Sequence, residues 1–176
     1  MLTHGTNRSR GFTLIELLLV VAVIGIIAAI ALPGLVRARL ASYQASATAS
    51  LRAVDSGQQA FRFTCGGGNF SPSLQNLGLS VAGRPGFISP DLATPAPVRR
   101  SGYEFLVGTV SPEPRISCNG GATASTFHVT ATPLVVVPGQ RYFGANGSGT
   151  LYESTNALAG TMPDVGAPPA PAMPLQ

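Results

Sequence analysis

The sequence is poor in charge. Charged residues make up 10% of its 176 residues, all eleven basic residues are arginine, and the formal net charge is +4. Two arginines, Arg8 and Arg10, stand directly before a long apolar run, and the others are scattered apart from the pair Arg99-Arg100. A nucleic-acid-binding domain concentrates its basic residues on one face or tail. The sequence therefore does not predict nucleic acid as a partner.

Metal ligands and catalytic side chains are also scarce. Two cysteines, Cys65 and Cys118, and one histidine beyond the N-terminal segment, His128, do not match the spacing of a zinc site. Gly66-Gly67-Gly68 lacks the preceding strand and the following Lys-Ser/Thr of a phosphate loop. A cysteine that used His128 as its base would lack a third, orienting group. The aspartates are scattered, with no oxygen-rich calcium loop, at Asp55, Asp91 and Asp164. We expect no cofactor, no metal and no enzymatic activity.

An uninterrupted run of apolar and glycine residues extends from Leu17 to Leu32. Counted from Phe12 it covers 21 residues, which matches the roughly 20 residues that span about 30 Å of hydrocarbon as a helix. The basic residues before it predict a cytoplasmic N-terminus and an exported remainder. A secretory signal peptide has a shorter core that ends in a small-residue cleavage site. An ordinary membrane anchor leaves Glu16 unexplained.

The stretch Gly11-Phe12-Thr13-Leu14-Ile15-Glu16-Leu17 resembles the prepilin signature of type IV pilins and secretion pseudopilins. The resemblance implies that a prepilin peptidase removes residues 1–11 as a leader by cutting between Gly11 and Phe12, and then methylates the amine of Phe12. It also implies that Glu16 becomes the fifth residue of the mature chain, where the family has its acid. The likeness extends from Arg10 to about Phe63, and beyond that only as a type of architecture.

Glu16 is an acid in an apolar environment, where an unpaired carboxylate costs at least about 2.5–3.5 kcal/mol. Cleavage would create a cation for it, the amine of Phe12 in a neighbouring subunit. Because any other register leaves a buried charge alone, such a pair would select one stagger between subunits. The alternative is that Glu16 lies near the interface and reaches the lipid headgroups.

Pro33 and Gly34 follow the apolar run. Proline removes a backbone donor and disturbs the preceding turn, so we expect a helix break here, or alternatively the end of the helix at the membrane surface. Residues 12–33 are predicted to form the transmembrane and filament-core helix, and residues 34–63 an amphipathic helix that continues into the head. Its apolar stripe is Ala47, Leu51, Val54, Gln58 and Phe61.

Residues 64–159 are predicted to form a globular head, so the fold class is α+β with a long N-terminal helix and a small antiparallel sheet. Residues 64–100 should be mostly irregular, with one helical turn at Ser73–Leu79. Three or four strands are expected from patterns in the rest of the head, with a hairpin loop at 144–149 and a short edge at Ile116–Cys118. The strand patterns are Tyr103–Val110, Phe127–Thr132, Arg141–Phe143 and Thr150–Glu153. Residues 160–176 contain five prolines and are expected to form a flexible or extended tail.

Cys65 and Cys118 are predicted to form a disulfide if the head lies outside the cytoplasm. A bond that closes a loop of about 50 residues stabilises by roughly 4 kcal/mol in the chain-entropy model.

The sequence thus predicts a structural subunit of a type IV pilus-like filament, held in the inner membrane with a periplasmic head and then polymerised. The expected partners are other copies or minor pilins, the prepilin peptidase, and an inner-membrane assembly platform with its ATPase. Two alternatives remain: a pseudopilin of a type II secretion system and a single-pass anchored binding domain that never polymerises. The lack of an oxygen-rich loop favours the pilus over the pseudopilin, since many major pseudopilins carry calcium. Motility, adhesion, DNA uptake and any surface ligand leave no recognisable site.

Overall fold

The computed structural model describes residues 11–81, 83–108 and 112–175. The predicted leader, apart from Gly11, lies outside these residues. The chain divides into two units, one ending at Arg39 and one beginning at Leu40. The first helix, α1, runs from Leu14 to Thr64 and contributes to both.

In the first unit, α1 is exposed. Every described residue from Gly11 to Arg39 is exposed except Ala28, which is half-buried. The most apolar 18-residue window of α1 has none of its residues buried, and its length and composition are sufficient to cross a membrane. Nothing within the unit covers these aliphatic side chains.

The predicted helix break at Pro33 and Gly34 does not occur in the isolated chain. The helix assignment continues through both residues. Proline removes one backbone hydrogen bond, the one that would reach the carbonyl of Ala29. The strong helix formers on both sides maintain the remaining turns. A break on packing among neighbours remains a prediction.

In the second unit, the stripe on α1 packs against an antiparallel sheet. All five predicted stripe residues, from Ala47 to Phe61, are fully buried, so the predicted amphipathic face is confirmed. A short helix, α2 (Leu74–Leu77), begins at the N-cap Ser73, which confirms the predicted helical turn. The core joins these helices to sheet side chains, among them Tyr103, Phe105 and Val129.

The sheet has more strands than predicted. Six antiparallel strands run in the order β1-β2-β5-β6-β7-β8, and a separate pair consists of β3 and β4. Their bounds are β1 Val98–Arg100, β2 Tyr103–Val107, β3 Pro112–Ile116, β4 Ala122–Ala124, β5 His128–Pro133, β6 Tyr142–Asn146, β7 Leu151–Ser154 and β8 Met173–Pro174. The α+β class is confirmed, whereas the count of three or four strands is wrong. The missed strands β1, β4 and β8 have three, three and two residues, too short for an alternating pattern to be recognised. The edge predicted at Ile116–Cys118 is wrong, because β3 ends at Ile116.

The predicted hairpin loop at 144–149 begins too early. Gly144 belongs to β6 and pairs with Thr130 and Tyr152 on its two sides. A Cβ at this position would lie 3.0 Å from the sulfur of Met162. Glycine therefore serves here as a site of close packing inside a strand rather than as a turn.

Residues 160–176, predicted to be flexible or extended, pack on the sheet and include an extended pair of residues at β8. Met162 is buried with Leu158 and Tyr152 in a second small cluster, and β8 pairs with β7. The fully buried Asn146 donates from Nδ2 to the carbonyl oxygens of Pro163 and Gly166, at 3.1 and 2.7 Å. The tail gains its order by packing on the sheet, since its own composition supplies little apolar surface.

Candidate functional site

The candidate site is the junction at the start of α1. Gly11, Phe12 and Thr13 precede the helix in non-helical conformation, and Phe12 is 73% exposed. The Gly11–Phe12 bond therefore lies in exposed chain directly before the first helical turn. A peptidase needs an extended, accessible segment to act on, and the structure of these residues is compatible with that requirement.

Glu16 has a local role that the sequence reasoning missed. The Glu16 N–H donates to the hydroxyl oxygen of Thr13 at 3.3 Å, and that hydroxyl lies 3.3 Å from Glu16 Oε2. Thr13 is thus the N-cap of α1, and Glu16 is at the third helical position, as in a capping box. The sequence pattern that indicates this cap is Thr13-Leu14-Ile15-Glu16, a threonine followed three residues later by a glutamate. An acid in the first turn also interacts favourably with the helix dipole.

The local contacts leave the charge of Glu16 unmatched. Its only side-chain hydrogen-bond partner in the described part of the chain is a neutral hydroxyl. The four salt bridges found among the described residues all join other side chains. A cap explains an acceptor at this position but does not require a carboxylate, because glutamine also occupies it.

The predicted disulfide is present in the second unit. Cys65 is bonded to Cys118 across 53 residues, and the Cα atoms are 4.8 Å apart. The Cys118 N–H also donates to the Cys65 carbonyl at 3.0 Å. Within the described residues no cysteine is free, which excludes a catalytic thiol paired with His128.

His128 has a partner that the sequence did not reveal. Its Nδ1 lies 2.5 Å from Asp164 Oδ1, and Thr126 donates to Asp164 Oδ2 at 3.0 Å. The other edge of the ring is closed in, since a Cβ on Gly108 would overlap Nε2. With its ring enclosed and its carboxylate partner from the tail, His128 joins the tail to β5 rather than facing a substrate.

The paired arginines do not form a basic patch. Arg99 bonds Glu104 at 3.0 Å and Arg100 bonds Asp91 at 2.6 Å, so each arginine has an acidic neighbour. Arg141 is likewise paired with Glu153. Among the described residues there is no group of three or more side chains that could hold a metal.

The junction and the start of the helix are similar to known sequences. Residues 6–32 match the family described as the prokaryotic N-terminal methylation motif. A 54-residue stretch is 50% identical to the type IV major pilin protein PilA of Myxococcus xanthus strain DK1622. These matches show that the N-terminal segment is similar to that of a type IV pilin, and the long apolar helix followed by an antiparallel sheet is a pilin-like layout.

The similarity to the Myxococcus pilin is confined to part of each protein. It covers 31% of this chain and 24% of the relative. No solved structure gives a significant match. The activity and partners of the whole relative are therefore not carried over to this chain as findings.

Proposed function

We propose that this chain is a structural subunit of a type IV pilus-like filament. It is made as a precursor, cleaved between Gly11 and Phe12, methylated at the new Phe12 amine, and polymerised through the helix at residues 12–33. A prepilin peptidase and an inner-membrane platform with its ATPase act on it in trans. The head lies in the periplasm before assembly.

One observation carries the proposal: the part of α1 from Leu14 to Leu32 is apolar and, apart from the half-buried Ala28, exposed, and its sole charge, Glu16, lies in the first turn within the match to the methylation motif. In the bilayer, lipid covers the helix. Lipid is as apolar as a neighbouring helix, so the hydrophobic effect gives little drive to association there. Once a subunit leaves the bilayer, only other subunits can cover the same side chains.

The charge of Glu16 then determines the register. A neighbouring subunit's Phe12 amine, created by cleavage, is the cation best placed to neutralise the carboxylate. A subunit in any other register leaves both charges unpaired in a low-dielectric environment. The ion pair therefore acts as a condition on assembly more than as a source of stability.

Two variants separate the side-chain hydrogen bond from the charge. Glu16→Gln retains an acceptor for the Thr13 hydroxyl and removes the charge, whereas Glu16→Ala removes both the acceptor and the charge. The cap bond itself is donated by the backbone N–H of residue 16 and is kept in both variants. We expect both variants to insert into the membrane and to be cleaved like the wild type, but to yield few filaments in a sheared fraction. Intact mass and N-terminal analysis measure cleavage and methylation in the same samples.

Glu104→Gln is the matched control, because it removes one surface carboxylate from the head and should leave filament yield unchanged. Normal filament yield from Glu16→Gln would contradict the proposed role of the charge. Short periplasmic fibres and a secretion defect on deletion would instead indicate a secretion pseudopilin. An uncleaved Met1–Gly11 segment in the purified protein would indicate a plain membrane anchor.

A further inference from the structure

The second unit carries an uncharged groove of about 330 Å³ between α1 and the loop that joins β5 to β6. We name it the loop groove. Its α1 wall is formed by Leu40 and Tyr43, its loop wall by Leu134, Val135 and Val137, and Gly102 lies between them; Gln140 is the one amide in an otherwise mainly apolar lining. The aliphatic loop is unusually exposed for apolar residues: Val135 is 67% and Val136, at the rim, 70% exposed.

Hydrogen bonds hold the loop groove open. Gln44 on α1 donates from Nε2 to the carbonyl of Gly139 at 2.9 Å, and the Leu134 N–H donates to the Gly102 carbonyl at 2.9 Å. The Tyr43 ring lies against Gly102, where a Cβ would be 3.3 Å from its Cδ2. Both walls are therefore fixed before any partner arrives, and little ordering is needed on binding.

The lining indicates what the loop groove accepts. No charged side chain lines it, so a charged ligand would lose its hydration without gaining a partner. Contiguous exposed apolar surface of this kind marks an interaction site in a soluble domain. The occupant expected from the lining is a surface of aliphatic side chains without charge.

The chain itself supplies such a surface. Residues 17–32 contain no charged side chain, and they are exposed except for the half-buried Ala28. A filament brings many copies of this segment out of the bilayer. The lack of charge on both surfaces, and the exposure of both in the isolated chain, favour a second copy as the source of the occupant.

We propose that the loop groove receives aliphatic side chains of the apolar segment, residues 17–32, from a second copy of this chain in the filament. The inference rests on the proposed function and adds to it a specific surface of the head. The contact would bury the exposed Val135 and Val136 of the loop against a second copy.

A double substitution tests the contact in full-length protein in cells. Val135→Ser with Val136→Ser removes apolar surface at two exposed positions that contribute nothing to the core. Burial of two such side chains at each contact corresponds to about tenfold or more in association. We expect the filament yield to fall at least about tenfold while cleaved protein in the membrane remains at the wild-type level.

Val165→Ser is the matched control, because Val165 is 63% exposed on the head and lies outside the loop groove. It should assemble like the wild type. If the double variant assembles as well as Val165→Ser while the wild type forms filaments, the groove contact is wrong and the proposed function stands. If the wild type forms no filaments at all, both fail.

Photo-crosslinking identifies the occupant. Val136→p-benzoyl-L-phenylalanine in assembled filaments should give adducts whose peptides map to residues 12–36 of a second copy. Adducts that map only to lipid or to the head of another copy would overturn the proposal. Filaments lacking the photoreactive residue provide the background for the mass spectra.

Discussion

Gln58 tests how the irregular chain after α1 is attached to the helix. Its side chain is fully buried in the middle of the apolar stripe. Nε2 donates to the Ser71 carbonyl at 2.8 Å, and Oε1 accepts from the Ser71 N–H at 2.9 Å. One amide therefore satisfies both backbone groups of a residue that is itself fully buried. This pair attaches the irregular chain after α1 to the helix.

Gln58→Leu keeps much of the side-chain volume and removes both hydrogen bonds. The Ser71 N–H and carbonyl would then be buried without partners, at about 1–3 kcal/mol each. The expected loss is about 2–6 kcal/mol in the free energy of unfolding. That is a large share of the 5–15 kcal/mol typical of a domain.

Urea titration of the detergent-solubilised full chain measures this loss, with near-UV circular dichroism of the tyrosines as the signal, since the protein has no tryptophan. The midpoint should fall while the dependence on urea stays the same. Gln75→Leu is the control: Gln75 is exposed on α2, and its substitution should change stability by no more than about 0.5 kcal/mol. A Gln58→Leu midpoint within that margin would refute the reasoning.

Two further predictions concern the head. Replacing Cys65 and Cys118 together by serine opens a loop of 53 residues and should lower the free energy of unfolding by about 4 kcal/mol in the chain-entropy model; a reductant should lower the urea midpoint of the wild type comparably and leave that of the double variant unchanged. Burial raises the pKa of Asp55, although a hydrogen bond from Gln59 opposes the shift. The native state therefore holds that proton more tightly than the unfolded chain, so the stabilisation is present below about pH 4 and is lost as pH rises through the raised pKa. Asp55→Asn should raise the melting temperature at pH 7 but not at pH 3, and equal melting temperatures at pH 7 would contradict the assignment.

The two helices could be predicted because the sequence features that specify them are local. A run without charge, a stripe of residues three and four apart, and Ser73 before a short helix each act within one or two turns. The cleavage junction was predicted for the same reason, since a seven-residue stretch carries it. Even the Thr13–Glu16 cap, which was missed, was present as a four-residue pattern.

The edges of the sheet could not be predicted because their order depends on distant partners. β8 is a strand only because Tyr152 and Glu153 present an edge to Met173 and Pro174. Asp164 comes 36 residues after His128, and no periodicity links the two. The tail has the composition of an unstructured segment, and it folds because Asn146 and His128 supply the hydrogen-bond partners that its own residues lack.

The hydrogen bond with Thr13 requires an acceptor oxygen on Glu16, whereas the proposed assembly role requires a negative charge. One carboxylate can supply both at the same time. A carboxylate has two oxygens and about four acceptor sites, and the hydroxyl of Thr13 lies beside Oε2 alone. The capped helix thus holds the acid in place at the end of the rod, while acceptor sites remain for an ammonium group from another copy. Glutamine reproduces the cap but offers a neutral oxygen to that ammonium. If the hydrogen bond from the Thr13 hydroxyl were the only role of this side chain, Glu16→Gln filaments would form normally and Glu16→Ala filaments would not; if the charge matters, the two variants fail alike.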